Sequence, residues 1–128
     1  MNAGFLLQMR RFLGYAMRFT VSMKENRDFR RLYSSGKTAV DGYLAVYARR
    51  NRLGENRLGI TVSTKLGSAV VRNRVRRRIR EAYRLEESAL RTGYDLVVVA
   101  RTRAAEADYA HLRASLVKAL DKLGVRGV

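Results

Sequence analysis

The sequence predicts an α+β fold, a small and mostly antiparallel sheet packed with helices. The order is α–β–β–α–β–α, with a further short strand near residues 37–40. Three observations carry this prediction. Residues 43–49 and 57–64 alternate between two faces, as half-buried strands do. Residues 95–100 form an apolar run of strand length, suited to burial on both faces. Residues 24–34, 73–87 and 108–124 place apolar side chains at helical spacing.

The first helix is expected over 24–34, with Ser22 as N-cap and Glu25 at capping-box spacing. Phe29, Leu32 and Tyr33 share one of its faces, and Gly36 ends it. In the strand that follows, Leu44, Val46 and Ala48 face one way, and Tyr43, Ala45 and Tyr47 the other. The stretch RRNRLGEN reads as a polar turn. Leu58, Ile60 and Val62 then line one side of a return strand, so a hairpin is expected. KLGSAVVRN reads as a loop bent at Gly67, with Asn73 capping the second helix. In the last helix Leu112, Leu116, Leu120 and Leu123 form the stripe, and Gly124 closes it.

A chain of 128 residues with 47% hydrophobic side chains suits one domain with one core. The absence of Cys excludes disulfides and thiolate metal sites, and a single histidine, His111, excludes a His-rich zinc site. No run of 18 apolar residues suggests a membrane span, and a cytoplasmic protein is expected. Residues 1–16 read as a dispensable extension, with Met17 and Met23 both possible starts, ahead of a single domain over 17–128.

The charge is strong and localised. Residues 1–84 hold 20 basic and 5 acidic side chains, net +15, whereas residues 85–128 hold 7 and 6, net +1. Such a field selects a polyanionic partner. Of the 27 basic residues 22 are Arg, whose planar fork of donors fits phosphate. The centre of this charge is VVRNRVRRRIREAYR, residues 70–84, with seven arginines and one acid, Glu81. At 100° per residue, Val75, Ile79, Ala82 and Tyr83 fall on one arc, the buried face. Arg74, Arg76, Arg77, Arg78, Arg80 and Arg84 sweep the remainder, with Glu81 placed to relieve Arg77 and Arg78. Repulsion this dense is tolerable where a polyanion removes it and releases counterions on binding. Lys65 and Arg72 lie beside the helix start, where backbone N–H groups favour an anion.

Phe29 with Tyr33, and Tyr43 with Tyr47, are spaced either to stack unpaired bases or to pack a core; spacing alone leaves both open. No catalytic constellation or phosphate loop of the Walker kind is present.

The pattern Lys65-x-Gly67-x-Ala69-Val70-x-Arg72-Asn73-Arg74-x-Arg76-Arg77-x-x-Arg80-Glu81 strongly resembles the signature of the bacterial ribonuclease P protein subunit. ENRDFRRLYSSGK, RLGITVSTK, GYDLVVVAR and the 108–124 segment resemble that family's other elements, in family order. The resemblance implies a protein cofactor of a catalytic RNA that removes the 5′ leader of precursor tRNA with Mg²⁺ bound mainly by the RNA. It implies no catalytic side chain, no small-molecule substrate and a left-handed crossover through the arginine helix. It further implies that Lys65, Arg72, Asn73, Arg74, Arg76, Arg77 and Arg80 face the ribonuclease P RNA, and that Phe29, Tyr33 and Tyr47 line the leader-binding cleft. Thr64 stands where many relatives carry Lys, and Arg76 where Lys is usual. A structural ribosomal protein would share the basicity but not this signature; a protein-only nuclease would need clustered acids that the sequence lacks.

Overall fold

In the computed structural model, which describes residues 19–127, five strands form one sheet. Across it run β1 (Thr20–Ser22), β4 (Asn56–Val62), β5 (Tyr94–Ala100), β3 (Leu44–Arg50) and β2 (Lys37–Val40). The helices are α1 (Asn26–Ser35), α2 (Ala69–Glu86) and α3 (Tyr109–Lys122). The expectations for residues 1–16 and Met17 lie outside the described residues.

The α+β class holds, and the short strand expected at 37–40 is β2. The sheet, however, is mixed rather than mostly antiparallel. β1 and β5 both run parallel to β4, whereas β2 and β5 run antiparallel to β3. The expected β3–β4 hairpin does not form, because β5 lies between those two strands. Leu96, Val97 and Val98 are almost wholly buried, and only a central position covers both faces of β5. The 51–55 turn is long enough to step across one intervening strand, a distance of roughly 10 Å.

Two helix starts also differ from expectation. Ser22 belongs to β1, pairing with Leu58, and forms no capping box. Glu25 precedes α1, without a side-chain cap. The arginine helix begins one turn early, at Ala69. Ser68 is its cap, its Oγ accepting from the Val71 N–H at 3.4 Å, so Asn73 lies inside the helix. Gly67 breaks the chain ahead of it at φ 142°, a backbone region that only Gly adopts readily. Asp108 caps α3 through the His111 N–H, and Gly124 closes that helix at φ 74°.

The sheet separates two unequal cores. On one face Leu44, Val46, Leu58, Leu96 and Val98 meet Val75, Ile79 and Tyr83 of α2 and Leu112, Leu116 and Leu120 of α3. On the other, Leu32 of α1 packs with Met23 and Val97, flanked by Phe29, Tyr47 and Val99. Tyr43, which the alternation put on the Tyr47 face, precedes β3 and turns toward His111 of α3, ring centroids 6.1 Å apart. Asp41 fixes that bend by accepting from the backbone N–H groups of Tyr43 and Leu44.

Candidate nucleic-acid interface

The buried side of α2 is the arc that periodicity predicts: Val75, Ile79, Ala82 and Tyr83, joined by Glu86. Tyr83 is fully covered, and its Oη lies 2.8 Å from Thr20 Oγ1, which fastens α2 to β1. Burial pushes that phenol well above its ordinary range.

Only one of the seven arginines of α2 is paired with a carboxylate among the described residues. Arg84 donates to Glu81 through Nε at 3.0 Å and Nη2 at 2.6 Å, and these bonds hold the Glu81 carboxyl below its usual range. Glu81 therefore serves Arg84 rather than Arg77 and Arg78, in agreement with the better orientation that places the acid N-terminal to the base. Arg74 and Arg78 donate to backbone oxygens of Ala105 and Ala107 at 3.4 and 2.9 Å, which tie α2 to the approach to α3 and leave both without a carboxylate at salt-bridge distance among the described residues. Arg76 donates to Asn73 Oδ1 at 3.2 Å. Arg77 and Arg80 make no side-chain bond among the described residues, and Arg77 is exposed.

Asn73, inside the helix, joins the arc of Arg76, Arg77 and Arg80. Arg72 does not. It falls on the sector of Val75 and Ile79, one turn earlier, half-buried, with Nε 3.5 Å from Ser68 O. Lys65 is exposed on the 3-10 turn Thr64–Leu66 that leads from β4 into α2.

The three cleft aromatics come together on the opposite face of the sheet. Tyr33 meets Tyr47 edge to face at 5.0 Å and Phe29 at 6.5 Å. Asn26, Phe29, Arg30, Tyr33 and Thr61 line a cleft of about 530 Å³. Tyr33 is 43% exposed, and its Oη lies 3.3 Å from Thr61 Oγ1. Beyond the aromatics, the row Thr61, Val99, Ala45 and Val40 continues the open sheet face by register.

Sequence reasoning missed three contributors. Arg30 adds a cation at the rim, and Thr61 forms the sheet side of the cleft. Gly59 makes room for Phe29, since a Cβ there would stand 2.5 Å from its ring. An isolated Gly inside a strand was the available signal for the last.

α1 is docked over this cleft by a buried ionic network. Arg57 of β4 donates to Asp95 Oδ1 and Oδ2 at 2.8 and 2.7 Å and to Asp28 Oδ2 of α1 at 3.3 Å. Asn51 completes it, bonding Asp95 Oδ1 at 2.8 Å. Burial pushes the Asp95 carboxyl up, but the bonds from Arg57 and Asn51 outweigh it and hold that group below the usual carboxylate range. Arg57 itself is pushed up, chiefly by its bond to Asp95.

Among the described residues no three His, Asp or Glu side chains are grouped to hold a metal ion, and no helix is long and apolar enough to cross a membrane.

The comparisons with known proteins bear on the family and the fold. The family model described as Ribonuclease P matches residues 17–124. The ribonuclease P protein component of Caldanaerobacter subterraneus is 47% identical over 100 residues, covering 78% of this chain and 86% of that protein. That of a Thermoanaerobacter species is 41% identical over 102 residues, covering 80% and 88%. The solved Staphylococcus aureus RNase P protein superposes with a TM-score of 0.77 at 34% identity, covering 83% of this chain and 97% of that one. The Thermotoga maritima RNase P protein gives 0.69 at 32%, covering 76% and 92%. The chain belongs to the ribonuclease P protein family, the protein subunit of the endoribonuclease that matures the 5′ end of tRNA.

Proposed function

We propose that the arginine face of α2 binds the catalytic RNA of ribonuclease P, and that the cleft beneath α1 holds the single-stranded 5′ leader of precursor tRNA. The observation that carries this reading is the state of the α2 arginines: six of the seven have no carboxylate partner among the described residues, while the helix is anchored through its other side. Arg74, Arg76, Arg77 and Arg80 with Asn73 supply phosphate contacts, and Lys65 and Arg72 extend them at the helix start. Each phosphate neutralised releases condensed counterions, which drives association.

Phe29, Tyr33 and Tyr47 offer faces and edges on which unpaired bases stack, with Arg30 beside them for the backbone. In this reading the protein contributes no catalytic side chain. Mg²⁺, bound mainly by the RNA, supplies the chemistry of hydrolysis; the protein positions RNA and substrate so that the reaction proceeds at lower Mg²⁺. The working compartment is the cytoplasm, with no membrane or small-molecule partner.

Reconstitution with a bacterial ribonuclease P RNA tests this. At Mg²⁺ concentrations too low for the RNA alone, the full chain should restore removal of the leader, and the chain without RNA should cleave nothing. No stimulation at any Mg²⁺ concentration, or cleavage by the protein alone, would contradict it.

A further inference from the structure

The basic charge leaves one surface nearly neutral. Residues 85–128 carry a net charge of only +1, against +15 for residues 1–84. Within that half, the outer side of α3 and the end of α2 form an open groove of about 610 Å³. Tyr109, Ala110, Ala114 and Val117 supply its apolar wall. Its charges cancel, Glu86 and Asp121 standing against Arg113 and Lys118. A groove without net charge gives a polyanion no hold. Exposed Ala110 and Ala114 leave room for a second helix to approach closely.

The order of residues along α3 points to the occupant. Arg113, Val117 and Asp121 recur four residues apart, so a base, an apolar side chain and an acid follow one another along one side of the helix. Turned end over end about Val117, the row complements itself. Arg113 of one copy then opposes Asp121 of the other at both ends, with Val117 against Val117 between them. A twofold interface requires such a self-complementary patch. Arg113 already bonds Glu86 at 3.2 Å and Asp121 bonds Arg126 at 3.1 Å, but their side chains are 43% and 50% exposed, which leaves both open to a second partner.

We infer that this face of α3 is an interface between two copies of the chain, packed antiparallel about Val117. The cationic side of α2 stays open in the pair. Arg74 and Arg78 reach toward the approach to α3, so by the helical arc Arg76, Arg77 and Arg80 lie on the side turned away. Two bodies of +16 repel one another at long range. Salt shortens that range, from about 10 Å at 0.1 M to about 3 Å at 1 M, while ion pairs closed within an interface are screened much less. Pairing therefore tightens as salt rises, opposite in sign to RNA binding.

Sedimentation equilibrium of the full chain without RNA, from 0.1 to 1 M salt, tests this. The apparent mass should rise with salt toward twice the monomer value. Val117→Arg sets like charges against each other on the twofold axis, and should hold the monomer mass throughout while keeping its affinity for a bacterial ribonuclease P RNA. The chain has no Cys, so Val117→Cys under a mild oxidant such as diamide should give a disulfide-linked dimer. Ser34→Cys, exposed at the end of α1 across the sheet, should not. Should Val117→Arg lose RNA affinity through misfolding, the cross-link decides. A wild-type chain that keeps the monomer mass at 1 M salt, a dimer that Val117→Arg leaves intact, or equal cross-linking at both positions overturns the inference.

Discussion

Replacing Arg57 by Met tests what holds α1 over the cleft. The change keeps most of the side-chain volume but removes the cation between Asp28 and Asp95, whose side chains are only 9% and 8% exposed. Breaking a fully buried pair costs about 3–5 kcal/mol, since a charge is left without its partner. Arg57 retains 22% side-chain exposure, so water recovers part of this and a loss of roughly 2–4 kcal/mol is expected. For a domain of this size that lowers the melting temperature by about 10 °C.

The pH dependence gives the sharper signature. The Asp95 carboxyl is held below its usual value in the fold, so its contribution is full above the unfolded value near 3.9 and is lost as pH falls through the folded value. In Arg57→Met burial acts with only the Asn51 bond and the weaker attraction of Arg31 against it, and protonation relieves the buried charge. The gap between wild type and variant should therefore be widest above about pH 5 and narrow toward pH 3. Adding Asp95→Asn should recover about half the loss at neutral pH. Thermal melts across that range are the assay. A gap under about 1 kcal/mol, or one that does not narrow with acid, would refute the network as the clamp on α1.

Other expectations concern the cleft. Tyr47→Ala should weaken precursors with long leaders by roughly 1–3 kcal/mol and leave leaderless tRNA unaffected in binding titrations; equal losses for both would point to misfolding instead. Gly59→Ala should force the Phe29 ring from its seat, costing roughly 1–3 kcal/mol in denaturant melts and weakening leader binding. Normal stability with normal leader affinity would show that the ring has room to yield.

Much of the candidate interface was legible because it depends on local periodicity. Val75, Ile79, Ala82 and Tyr83 recur at helical spacing, so the buried side of α2, and with it the cationic side, follows from the order of residues. The strand pairing was not legible in the same way. A polar turn between two alternating segments favours a hairpin locally, but the demand of β5 for cover on both faces is a property of the whole sheet and overrides it. β1 is silent in sequence because three residues carry no period, and its pairing with β4 and its bond to Tyr83 join positions far apart in the chain. Arg57 likewise looks like any other arginine in sequence. Its partners lie 29 and 38 positions away, and only the fold separates it, as a structural cation, from the α2 arginines that have no carboxylate partner among the described residues.

The central claim is that uncompensated arginines on α2 carry the RNA. It is tested most directly by the salt dependence of binding to a bacterial ribonuclease P RNA. Arg77→Ala/Arg80→Ala should weaken binding and flatten the slope by roughly 1.5, whereas Arg84→Ala, whose charge Glu81 already balances, should change it far less. Equal slopes for wild type and the Arg77/Arg80 variant, or a larger change at Arg84, would contradict the account.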